Sequence, residues 1–203
     1  MKKIPFLIIL MIILGCSKKE ESIHHNSSPE ESIATVSYKE FLTEIQSKTE
    51  AEKEPYFFRF INYDIPDYWK GTRWSFGGTT RNPQTGTIAC GYFVTNTLTD
   101  FGIKLERVYL AQQASSVMIK KLCTDIKYFT KKKDLEEYIL SRSKNSVYIV
   151  GLDFHTGFIT REAENTYFIH SNYIGNEGVI KEKTGRSKAL NASNTYMIGT
   201  LKY

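Results

Sequence analysis

Along this chain the spacing of the apolar residues changes once, at about Val147, and that change limits the folds open to it. Before it they recur with helical period. Tyr38, Phe41, Leu42 and Ile45 follow i, i+3, i+4, i+7 within a segment running from Ser37 to about Lys53. Pro55 is expected to end that helix, leaving the aromatic stretch Tyr56 to Ile61 to extend or to pack under the next segment. Ala89 to Phe101 predicts a second helix with Phe93, Val94, Thr97, Leu98 and Phe101 on its buried face, and Gly102 is placed to close it in the left-handed conformation. Val117 to Leu122 and Leu135 to Leu140 read as two shorter helices, the second introduced by a solvated lysine run, Lys131-Lys132-Lys133. After the change, Val147 to Leu152 reads as a buried strand. His155 to Thr160, Thr166 to Ser171, Gly178 to Lys181 and Thr195 to Leu201 read as further strands. Helices first and antiparallel strands afterwards specify an α+β domain. Gly71 to Gly86 is loop with turns, and the chain holds no internal repeat, no Gly-x-Gly-x-x-Gly and no P-loop.

With 203 residues, 41% of them hydrophobic, the chain suffices for one domain with a real core plus some tail. The formal charge of +5 includes Lys2 and Lys3, which belong to a leader. The remaining excess is mild and interleaved with acidic residues, so no nucleic-acid partner is expected.

Lys2 and Lys3 begin a positive region followed by the unbroken apolar run Phe6 to Leu14. A permanent membrane helix needs about 20 residues; this shorter run fits the core of a secretory signal peptide. It ends Ile13-Leu14-Gly15-Cys16, which resembles a bacterial lipobox. That resemblance implies cleavage before Cys16, lipidation of its thiol, and a lipoprotein held by its N-terminal lipid at a membrane of the bacterial cell envelope, outside the cytoplasm on a periplasmic or surface face. Residues 1–15 are thus read as signal peptide, 16–36 as lipidated cysteine and flexible tether, and 37–203 as the folded domain. His24 and His25 fall in the tether and read as solvated.

Only two histidines, His155 and His170, fall in the folded region. With Arg161 to Glu164 as a hairpin loop and Thr160 paired to Asn165, the register sets His155 directly opposite His170 on one face. Cys90 opens the helix after the Gly-rich loop. A helix N-terminus stabilises a thiolate and offers N–H groups to a developing oxyanion. The chemistry this permits is nucleophilic attack by Cys90, with His155 as base and later acid and His170 orienting it. Asn172 and Asn194 are alternative orienters. Cys123 leaves a second possibility open, a Cys90–Cys123 disulfide, since an extracytoplasmic compartment is oxidising. Two histidines and a thiol also suit zinc, but a triad explains them better, so neither metal nor cofactor is expected.

Gly71-Thr72-Arg73-Trp74-Ser75-Phe76-Gly77-Gly78, then Cys90, Gly102-Ile103 and Gln112-Gln113, resemble the NlpC-type cell-wall cysteine peptidases. Downstream, His155-Thr156-Gly157-Phe158-Ile159 resembles the family's His-Val-Gly-Ile strand. Phe168-Ile169-His170-Ser171 resembles the next strand, which carries the third catalytic residue, and Gly178-Val179-Ile180 also fits. The resemblance spans roughly Gly71 to Lys181. It implies a papain-like α+β fold, with the helix bearing Cys90 packed on an antiparallel sheet bearing both histidines. It implies a thiol protease or amidase with Trp74, Phe76 and Gln113 lining the substrate cleft and a peptidoglycan peptide as substrate. Two departures stand out. The family's Asp-Cys-Ser-Gly is here Ala89-Cys90-Gly91-Tyr92, and Trp74 replaces a tyrosine, keeping only an indole N–H as donor. The Cys-to-His separation is also long, leaving room for the Leu135 helix as an insertion. Arg73 and Arg81 are further basic residues near the expected cleft. The expected function is therefore a lipid-anchored cysteine hydrolase cleaving an amide through a thioacyl intermediate. The alternatives are a non-catalytic, surface-tethered peptide- or protein-binding module of the same fold and a thioacyl-based acyltransferase.

Overall fold

Ser37 caps the first helix: its hydroxyl accepts from the Glu40 N–H while the Glu40 carboxylate accepts from the Ser37 N–H, a reciprocal capping box that starts α1 (Tyr38–Ser47). The computed structural model describes residues 36–201. The expected signal peptide, the expected lipidation site Cys16, His24, His25 and nearly all of the expected tether lie outside the described residues.

Pro55 does not end a helix. It sits inside α2 (Glu50–Arg59), which continues through a π-helical turn, Phe60–Asp64, into α3 (Ile65–Trp69). Pro55 and Ala51 both face solvent, so the carbonyl deprived of its N–H partner is left to water. Phe57, Phe60 and Ile61 are buried on the opposite side and carry the helix onward. The Gly-rich passage is tied at its ends by two short parallel strands, β1 (Arg73–Trp74) and β2 (Thr87–Ile88). The central helix α4 (Cys90–Phe101) closes at Gly102 with φ 108°, in the left-handed region as expected. Two short helices follow, α5 (Arg107–Ala111) and α6 (Ser115–Leu122).

The strand β3 (Cys123–Phe129) has no counterpart in the sequence reading. Its pairing slips between Thr124 and Lys127, and Asp125 sits there at φ 45°. This bulge breaks the two-residue alternation by which a strand is recognised. Then come α7 (Lys132–Ser141), β4 (Ser146–Leu152), β5 (Thr156–Glu162), β6 (Asn165–Asn172), β7 (Gly178–Lys183), the short helix α8 (Lys188–Asn191) and β8 (Tyr196–Leu201). The strands form one sheet in the order β3-β8-β4-β5-β6-β7, with every pairing antiparallel.

Both faces of this sheet are covered. Ile149, Phe158, Ile169 and Val179 join the core built by α1 to α6, where Phe93 of α4 meets Phe158 edge-on at 6.2 Å. Tyr148, Val150, Ile159, Phe168 and Ile198 point the other way, onto Leu135 and Ile139 of α7 and Leu190 of α8. Two buried faces explain why β4 is apolar at nearly every position rather than at alternate ones. The architecture is α+β.

Candidate active site

His155 lies one residue before β5, where a tight turn holds it: the Leu152 N–H donates to the His155 carbonyl at 2.8 Å. The β5–β6 register differs by two residues from the sequence expectation. Glu162 pairs with Asn165 and Phe158 with Ile169, so only Ala163 and Glu164 form the loop. His170 therefore faces Gly157, and His155 is its diagonal neighbour. A slip of two keeps every side chain on its face, so the rings still meet. His155 Nε2 and His170 Nδ1 are 2.8 Å apart.

Gly157 makes room for this. A Cβ there would stand 2.8 Å from the His170 Cβ and 2.7 Å from the Phe168 ring. In that space His170 stacks on Phe168, centroids 4.0 Å apart, and His155 meets the same ring edge-on. Both imidazoles thus lie on the α7 and α8 side of the sheet, beside Phe168, whereas α4 packs on the other side. The resemblance implied only that α4 packs on the sheet that bears both histidines; it does so, with the two rings turned to the face away from it. Cys90 lies where β5 begins, beside the Thr156 backbone, and lines the same cleft as His155.

Glu182 completes the row, although the sequence reading did not single it out. Its Oε1 is 3.1 Å from His170 Nε2. Burial raises the Glu182 carboxyl, but hydrogen bonds from His170 and Ser187 outweigh it and hold the group below the usual carboxylate range. An ionised carboxylate only accepts, so His170 donates through Nε2 and its Nδ1 carries a lone pair. That nitrogen accepts from His155 Nε2–H, which leaves the lone pair of His155 on Nδ1. Extending the β7 prediction to Glu182 would have exposed this residue, because Ile180 pairs with His170 and Glu182 is then its diagonal neighbour. The alternative orienters are committed elsewhere: Asn172 bonds Glu177 and the Ile174 N–H, and Asn194 bonds Asp153.

Cys90 is half-buried at the first turn of α4, a helix with no side-chain cap. Burial pushes its thiol up, against backbone N–H groups of Thr156, Gly91 and Cys90 itself that pull it down. Among the described residues no hydrogen bond runs from this sulfur to the His155 ring. Burial, reinforced by His170, holds His155 well below the ordinary histidine range, and burial also lowers His170 despite Glu182. The resting pair is thus neutral thiol and neutral imidazole, not the thiolate anticipated from the helix terminus. Cys90 and Cys123 are not bonded to each other.

Cys90 and His155 share a cleft of about 1270 Å³ with Trp74, Phe76 and Gln113. The Trp74 indole N–H is buried without a hydrogen-bond partner, while Phe76 is 90% exposed at the lip. Tyr173, not anticipated, packs on the His155 ring at 4.9 Å. Neighbouring Gln112 donates to the Tyr92 hydroxyl. Arg81 pairs with buried Asp100 of α4 at 2.6 Å, away from the cleft lining, and Arg73 is exposed. Among the described residues no group of three or more His, Cys, Asp or Glu is arranged to hold a metal ion. Comparison of the chain with family models, with curated proteins and with solved structures finds no match.

Proposed function

We propose that the chain is a cysteine hydrolase with a papain-like, NlpC-type fold, cleaving an amide through a thioacyl intermediate, and tethered to the cell envelope by lipid on Cys16. The observation that carries this reading is the 2.8 Å contact between the His155 and His170 rings, backed by Glu182 and opening on the cleft that holds Cys90. In the proposed reaction His155 Nδ1 takes the thiol proton as Cys90 Sγ attacks the carbonyl carbon. His155 returns that proton to the leaving amine, then activates the water that hydrolyses the thioester. With both groups neutral at rest, proton transfer accompanies attack. The uncapped first turn of α4 and the unspent Trp74 N–H are the donors available to the oxyanion. The resemblance to cell-wall peptidases makes a peptidoglycan peptide the first substrate to test.

A non-catalytic binding module is the second reading, and the missing sulfur–imidazole hydrogen bond favours it. Apo sites frequently lack such bonds until substrate arrives. Incubation with cell-wall fragments and with generic thioester-forming acyl donors, followed by mass spectrometry, separates the two. A hydrolase gives cleaved product and an acyl adduct on Cys90, both lost in Cys90→Ala. Undiminished turnover in that variant would end the hydrolase reading.

A further inference from the structure

The cleft around Cys90 carries almost no charge. Apart from His155, the one charged acid or base in its lining among the described residues is Asp153. That carboxylate is spent: it accepts from the N–H and side-chain amide of Asn194 and from the N–H and hydroxyl of Thr195. Among the described residues, no lysine, arginine or glutamate lines the cleft to meet a substrate carboxylate or amine. A charged group entering it would lose its hydration and gain no partner.

What the cleft offers instead is uncharged and, along one wall and at its lips, apolar. Leu152, Tyr196 and Met197 are buried along its wall, and the Tyr196 hydroxyl is turned away onto the carbonyls of Leu190 and Ser193. At its lips stand Phe154, 94% exposed, Phe76, 90% exposed, and Tyr128, 64% exposed. Large rings held in water around one concavity mark a surface that gains when apolar matter covers it. The polar groups in the lining, among them Thr79, Gln113, Ser115, Ser116 and Thr130, are all uncharged, and the rings at the lips offer an alkyl chain a larger apolar surface than any of them offers a charged group.

Resting on the hydrolase reading, we propose that the substrate is an acyl amphiphile: a long-chain ester or amide whose uncharged acyl chain lies in the cleft and whose polar head stays outside. The Cys90 Sγ–C bond forms as the ester C–O or amide C–N bond breaks. The thiol proton passes through His155 to the leaving alcohol or amine, and water then splits the thioester to a carboxylic acid and the free thiol.

The test uses the full-length chain carrying Cys16→Ser, which removes the lipid acceptor, with p-nitrophenyl acetate, hexanoate and decanoate below their micelle concentrations. Each rate is normalised to the ester's reaction with free cysteine, and the adduct on Cys90 is identified by mass. The expected result is a kcat/KM at least tenfold higher for decanoate than for acetate, with the ratio falling below threefold in Phe76→Ser/Phe154→Ser. Equal rates for acetate and decanoate overturn the inference while leaving the hydrolase reading intact. So does faster turnover of a p-nitroanilide of an acidic or an aromatic peptide. If no ester acylates Cys90, the hydrolase reading falls and the inference with it.

Discussion

Two hydrogen bonds leave His170 no choice of tautomer: the Glu182 carboxylate fixes its Nε2 proton, and its Nδ1 then receives the Nε2 proton of His155. Glutamine at 182 can donate as well as accept, which frees His170 to invert its tautomer and leaves His155 Nδ1 protonated, unable to take the thiol proton. Glu182→Gln is therefore expected to lower kcat by about ten- to a hundredfold with KM nearly unchanged. An equal rise in KM instead would make Glu182 a substrate contact. The thiol itself carries a second prediction. Because burial raises Cys90, iodoacetamide should alkylate it more slowly at pH 7 than free cysteine, with the rate climbing only above the ordinary thiol range. Rapid labelling at neutral pH would mean that the helix terminus outweighs burial. His155 and His170 were legible in the chain because the folded region holds no other imidazole. Glu182 was not, because glutamates are common at strand ends and nothing in composition marks one as half-buried beside a ring.

At the scale of elements, the β5–β6 hairpin delivers both rings, and its tolerance is narrow. Gly157→Ala would set a Cβ against the His170 Cβ and the Phe168 ring, forcing the strands apart or the imidazole off its stack. A loss of about 1–3 kcal/mol of stability is expected, read by denaturant unfolding, together with a change in the His155 and His170 imidazole NMR shifts. A variant as stable as the parent, with unmoved shifts, would show that the hairpin yields without cost. The apolar runs marked β4, β5, β6 and β8 well, since each buries a run long enough to be counted. The hairpin turn was misplaced by two residues because Arg161 and Glu162 look like loop residues. Yet Arg161 is buried, donating to the carbonyls of Arg142 and Ala163. β3 escaped notice for a local reason, the bulge at Asp125, and α2 ran on past Pro55 because solvent serves the orphaned carbonyl.

For the molecule as a whole, the buried imidazoles tie stability to pH. Both fold with depressed pKa values, so below about 6.5 the unfolded chain takes up protons that the folded chain refuses. Their contribution is complete above that pH and declines as pH falls through it toward the folded values. Glu182, itself depressed, adds a further loss below its ordinary value of 4.5. Melting temperature should thus fall from pH 7 to pH 5, and His170→Gln should flatten part of that slope. A melting temperature independent of pH over this interval would contradict the burial of the two rings. The amino-acid sequence alone determined the class of fold, the approximate positions of most helices and strands, and the three side chains with the chemistry to act together, because periodicity and residue type are local properties. The tertiary structure decided the rest: the diagonal rather than direct meeting of the histidines, the face they occupy, the carboxylate behind them, and the neutral, aromatic-lipped cleft in front. Those depend on register, burial and the desolvation that follows from them, and no one of these exists until distant strands have paired.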